Sequence, residues 1–190
     1  EVDDAKLRRQ LKEKWSGRKI LILAPGASLL EAKEKIGIFI QEKNPVVIAA
    51  NFLPEQFPVD YVFCSNAMRF EGLRNHTHGA ELLITSNLLD MCDGREQLLN
   101  YSELSFDENG TCDNSVIMLL KLLRGLDISE AAIAGFDGYK EKGENYVASY
   151  MASQHTKGEK ENVRIREYVS RIKQSLELIY LTPSMYEEGR

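Results

Sequence analysis

The residues with most chemistry to offer in this chain of 190 are small, polar and largely uncharged. Asn51, Asn66 and Asn87 each end a short apolar run. An amide carries two donors and a carbonyl acceptor, so it reads a base edge or ribose hydroxyls without importing charge. Asparagine also tolerates left-handed turns, which is the simpler reading of any one of the three. Ala24-Pro25-Gly26-Ala27-Ser28 joins an apolar run to a helical pattern. That arrangement presents unpaired backbone N–H groups to an anion, with Ser28 placed as N-cap. Gly26 is the one glycine in this loop, so neither a dinucleotide fingerprint nor a P-loop is present. Asp113-Asn114-Ser115 opens a second helical pattern, where Asn114 and Ser115 suit a phosphate and capping by Asp113 or Asn114 is the alternative.

Two further segments carry reactive types. In Gly135-Phe136-Asp137-Gly138-Tyr139, Asp137 stands just past an apolar run, where a carboxylate holds a ribose hydroxyl, a metal or a catalytic proton. Tyr139 and Tyr146 offer hydroxyls to a phosphate or rings for stacking. His155, in His155-Thr156-Lys157, has the natural pKa of a general base near neutrality, although an isolated histidine is usually only surface. His76 and His78 stand two apart without further identifiable ligands, so no metal site is expected. No nucleophile elbow, His-Glu-x-x-His pair or Cys-x-x-Cys appears, which leaves hydrolase and zinc chemistry without support.

The apolar runs that position these groups are residues 19–24, 45–50, 60–65, 81–85, 130–134 and 178–181, with a weaker seventh over 97–101. Short runs apolar on both faces read as buried strands of a parallel sheet. Helical spacing covers 29–41, 67–74, 115–126 and 161–176 between them. Residues 107–115 read as a polar loop, and 138–161 as a long surface loop or partial helix. Strands alternating with helices predict an α/β fold. It is Rossmann-like and doubly wound, a mostly parallel sheet of about six or seven strands with helices on both faces. Ligands of such sheets bind outside the carboxyl ends of the strands, where the polar residues above collect. Residues 2–15 carry Leu7, Leu11 and Trp15 on one stripe of a charged helix. Residues 1–17 therefore read as a linker or lid helix, and 18–186 as a nucleotide-binding-type domain.

Composition narrows the function classes. A net charge of -5 implies no general nucleic-acid affinity. No apolar stretch approaches the roughly 20 residues of a membrane span. The first residues lack the basic and apolar regions of a signal peptide, and the absent initiator Met suggests a cut piece or a processed chain. Cys64, Cys92 and Cys112 are odd in number and lack metal-like spacing, so buried reduced thiols in a cytoplasmic protein are expected. Cys64 falls inside a strand, and Cys112, beside a glycine loop, is the candidate for exposure.

Two resemblances converge on these residues. The chain resembles the C-terminal domain of bacterial aldolase-like proteins of the hydroxymethylglutaryl-CoA lyase and 4-hydroxy-2-oxovalerate aldolase superfamily. Residues 17–28, 44–52, 64–70, 113–115 and 134–139 carry the likeness. It implies surface-polysaccharide metabolism and an upstream aldolase domain as partner, with the lyase chemistry in a metal-dependent barrel that 190 residues in this order do not form. The order of motifs is also similar to the bacterial family-42 sialyltransferases, which use a CMP-sugar donor. That resemblance implies a CMP-like nucleotide held by Gly26, Ser28, Asn51, Asn114 and Ser115, a leaving phosphate steadied by Tyr139 and Tyr146, and His155 as base. Pro25 stands where that family has asparagine, and Ser115 where it has glycine. The reading that results is a module binding a nucleotide or nucleotide-sugar. A non-catalytic docking or regulatory module of the aldolase and a sialyltransferase-like glycosyltransferase are the alternatives. A homo-oligomer is compatible with each.

Overall fold

The computed structural model describes residues 1–107, 110–140, 145–147 and 158–187. In chain order its elements begin α1 (Ala5–Trp15), β1 (Ile20–Leu23), α2 (Ser28–Glu31), α3 (Lys33–Lys43), β2 (Val46–Ala50), β3 (Tyr61–Cys64), α4 (Ala67–Leu73) and β4 (Glu81–Thr85). After a 3₁₀ turn over Ser86–Met91 come β5 (Gln97–Leu99), α5 (Tyr101–Ser105), β6 (Phe106–Asp107) and β7 (Gly110–Thr111). The chain then forms α6 (Ser115–Gly125), β8 (Glu130–Ala134), α7 (Gly158–Ile172) and β9 (Glu177–Tyr180).

Seven strands form one all-parallel sheet in the order β5-β4-β3-β2-β1-β8-β9. This is the Rossmann-like, doubly wound α/β architecture. The two-sided burial explains why the strand sequences are continuously apolar. Ile20 and Ile22 of β1 join the core under α1, α6 and α7, whereas Leu21 and Leu23 join the core under α2 and α3. A third cluster packs α4 on β3 and β4 through Phe70, Leu73, Val62 and Ile84. α6 is buried from Val116 to Leu123, Lys121 included, whose ammonium stands 5.1 Å from the Tyr168 ring centroid.

α1 packs as part of the main core. Leu11 and Trp15 of its stripe are buried, and the Trp15 ring meets Tyr61 edge to face at 5.1 Å. Asp4 fastens its start by accepting from the Asn100 N–H at 2.8 Å and from Arg8 Nε at 2.8 Å. No helix among the described residues is long and apolar enough to cross a membrane.

Four local expectations need correction. The helix read over 29–41 is two helices, interrupted at Ala32. The last helix starts at Gly158 and stops at Ile172, so residues 173–176 turn toward β9. The polar loop over 107–115 includes an antiparallel pairing of β6 with β7. Cys112 is 4% exposed because Cys112 N–H bonds the Ser105 carbonyl and draws the thiol into the core.

Candidate functional site

β1 pairs with β2 on one side and β8 on the other, so the chain leaves the sheet centre in opposite directions after β1 and after β8. A crevice at such a switch point is where open α/β sheets hold ligands. Here the two departing loops touch. Gly26 N–H donates to the Gly135 carbonyl at 2.8 Å. A Cβ on Gly26 would lie 2.3 Å from that oxygen, and one on Gly135 would lie 2.1 Å from the Ala24 carbonyl. Gly135 also has φ of +74°, a conformation that costs a side chain energy.

Asp137 completes the crossing. Its carboxylate accepts from the Ser28 N–H at 2.9 Å and the Ser28 hydroxyl at 2.5 Å. Ser28 is therefore the first residue of α2 and a partner of Asp137. The N-cap position expected for it belongs to Ala27, which makes no side-chain cap bond.

Beside this crossing lies a cavity of about 620 Å³. Gly26, Asn51, Asn66, Asn114, Ser115, Asp137, Tyr139 and Tyr146 all line it, and Ser28 stands behind Asp137. Asn87 does not line it: its Nδ2 donates to the Ser65 carbonyl at 3.0 Å and its Oδ1 accepts from the Thr85 hydroxyl. His155 lies outside the described residues. His76 and His78 are exposed, and no group of three metal-capable side chains occurs among the described residues.

Each lining asparagine does structural work with its oxygen. Asn51, in a left-handed conformation with φ of +60°, accepts from the Ser65 N–H at 3.1 Å. Asn66 caps α4 by accepting from the Arg69 N–H at 3.1 Å. Asn114 caps α6 by accepting from the Val116 and Ile117 N–H groups at 3.0 and 3.1 Å. The Nδ2 of Asn51 makes no hydrogen bond among the described residues and remains a donor for a ligand.

Tyr139 is hydrogen-bonded to Asn114 and Tyr146, so the two phenols form a pair beside the start of α6. Burial, then the Tyr146 and Glu161 charges, pushes the Tyr139 phenol far above its ordinary range. It stays a neutral donor. Asp113 also lines the cavity, and burial raises its carboxyl against a smaller opposing effect of the Tyr101 hydroxyl. The Arg69 guanidinium stands 5.9 Å from the Tyr146 ring centroid. Arg164 of α7 lines the cavity with no carboxylate partner among the described residues.

No family model, curated protein or solved structure matches this chain.

The sequence reading missed α7 as a wall. Glu161, Arg164 and Ile165 of that helix and Tyr186 near the chain end line the cavity. One signal was available: Asn162 interrupts the inward stripe of Gly158, Ile165, Val169 and Ile172. A polar residue on an apolar stripe needs partners, and partners imply a built site. Nothing local distinguishes Arg164 from the other surface arginines. Chemically, the cavity combines amides, a hydroxyl, phenols, the Arg69 and Arg164 guanidinium groups and the Asp113, Asp137 and Glu161 carboxylates. That set suits a polar, hydroxyl-rich ligand.

Proposed function

We propose that this domain binds a nucleotide or nucleotide-sugar in the crevice between the loops after β1 and β8. The observation that carries the reading is the coincidence of the cavity with the topological switch point. Its size falls in the usual range for small-molecule sites, about 300–1,000 Å³. The Asn51 amide, whose Nδ2 makes no hydrogen bond among the described residues, is a donor suited to a base or ribose. The Ser115 hydroxyl, the phenol pair and the Arg164 guanidinium suit a phosphate. Calorimetry with CMP, CDP, UDP and CMP-sugars tests it. Saturable binding by at least one is expected, and no heat from any at millimolar concentration would sink the reading.

Glycosyl transfer is the second reading, favoured by the hydrogen-bonded phenol pair. Two neutral donors together can stabilise charge developing on a leaving phosphate. His155 is then the base that takes the acceptor proton. A His155→Ala variant is expected to lose turnover of a CMP-sugar while retaining CMP binding. Undiminished turnover removes the histidine from the mechanism.

A further inference from the structure

We propose that Asn162 and Tyr186 are positioning residues for Tyr139, which makes the segment after β9 part of the binding site. The ligand half of this proposal rests on the nucleotide reading of the crevice.

Asn162 is 6% exposed on the inward stripe of α7, where an apolar side chain is the ordinary occupant. Its amide is committed to one neighbourhood. Oδ1 accepts from the Tyr139 N–H at 2.8 Å and from the Tyr186 hydroxyl at 2.7 Å. Nδ2 donates to the Tyr139 carbonyl at 2.7 Å and meets Met185 Sδ at 3.5 Å. One side chain thus holds both main-chain polar groups of the residue whose phenol lines the cavity. The Tyr186 hydroxyl must donate, because the Asn162 oxygen can only accept. Tyr186 is suited to that: burial pushes its phenol far up, and its ring packs on Phe136 with centroids 4.6 Å apart.

The rest of the segment repeats the pattern along the same loop. The Gly135 N–H donates to the Thr182 hydroxyl at 2.8 Å. The Ser184 hydroxyl donates to the Phe136 carbonyl at 2.5 Å. Met185 N–H donates to the Asp137 carbonyl at 3.0 Å. Gly138, with φ of +94°, lies so close that an added Cβ would stand 2.7 Å from Met185 Sδ. The loop from Gly135 to Tyr139 is therefore braced from behind, and its front faces the cavity. Sites that bind well are held in this way, by supporting bonds that leave the contacting group in one geometry.

Three variants of the full chain test the assignment. Asn162→Ala removes the amide, Tyr186→Phe removes one hydroxyl, and Leu11→Ala in α1 is a destabilising control away from the crevice. The first readout is hydrogen exchange at the Tyr139 amide near neutral pH, since that N–H donates to Asn162 Oδ1. Asn162→Ala is expected to speed it well beyond any change in Leu11→Ala. The second readout is CMP affinity by calorimetry. Asn162→Ala and Tyr186→Phe are expected to weaken it roughly tenfold, with Leu11→Ala near the parent value. Tyr139 amide exchange no faster in Asn162→Ala than in Leu11→Ala overturns the positioning role, and so does an equal affinity loss in the Leu11→Ala control. Absence of CMP binding by the parent protein, with the Tyr139 exchange changed as expected, removes the ligand half alone.

Discussion

Gly26 and Gly135 stand where two loops cross backbone to backbone. A methyl group at Gly135 meets both a carbonyl oxygen and an unfavourable φ. Gly135→Ala is expected to cost about 3 kcal/mol, visible as a lowered urea midpoint. An unchanged midpoint would mean the crossing opens without penalty. Asn114→Ala removes two cap bonds from α6 and should cost about 1 kcal/mol by the same measurement. At this scale the sequence was informative about which residues gather and less so about what they do. Asn114 could be read as a cap because the cap bond is local. The partner of Ser28 could not, since Asp137 is far along the chain and competes with the local cap geometry.

α1 packs as a core helix despite its charged surface. Trp15 is wholly buried and touches Tyr61 of β3, so Trp15→Ala should cost about 3–5 kcal/mol in thermal or urea unfolding. A loss below about 1 kcal/mol would return α1 to the status of a loosely attached lid. The strands were legible almost residue by residue, because burial on both faces leaves uninterrupted apolar runs such as Val46–Ala50 and residues 131–134. Helix ends were less so. No glycine or proline marks the break at Ala32, whose φ of -98° and ψ of 15° lie outside the helical region while Leu29 and Ile36 on either side pack in one core. The spacing predicts α7 from residue 161, three residues late, because Gly158 normally signals a loop, whereas here it is buried at the helix start.

For the whole molecule, alternation of strands and helices dictated a parallel sheet, but not that β8 would lie beside β1. That pairing depends on which edge is free once β2 has docked, a tertiary outcome with no local signature. The assembled core also sets an alkaline limit. Burial pushes the Cys64 thiol from an ordinary value of 9.0 up to about 11. The folded state therefore keeps a proton that the unfolded chain loses. Stability should be full below pH 9 and decline between pH 9 and 11, by about 2–3 kcal/mol for this thiol. The raised Tyr139 and Tyr186 phenols act in the same direction. Urea midpoints at pH 8, 9.5 and 11 check this, and a flat profile would contradict it.

The strand order also has a consequence in time. Leu21 has one partner, Val47 of β2, close behind it in the chain, but its other partner, Ala132 of β8, emerges only after most of the chain has been made. Closing so long a loop is slow compared with the local steps around it. The crossing of Gly26 with Gly135 must wait for that closure, and the brace from Thr182 to Tyr186 follows later still. A growing chain can thus own most of its sheet while its crevice remains unassembled. Competence to bind would be the last property this domain acquires as it is synthesised.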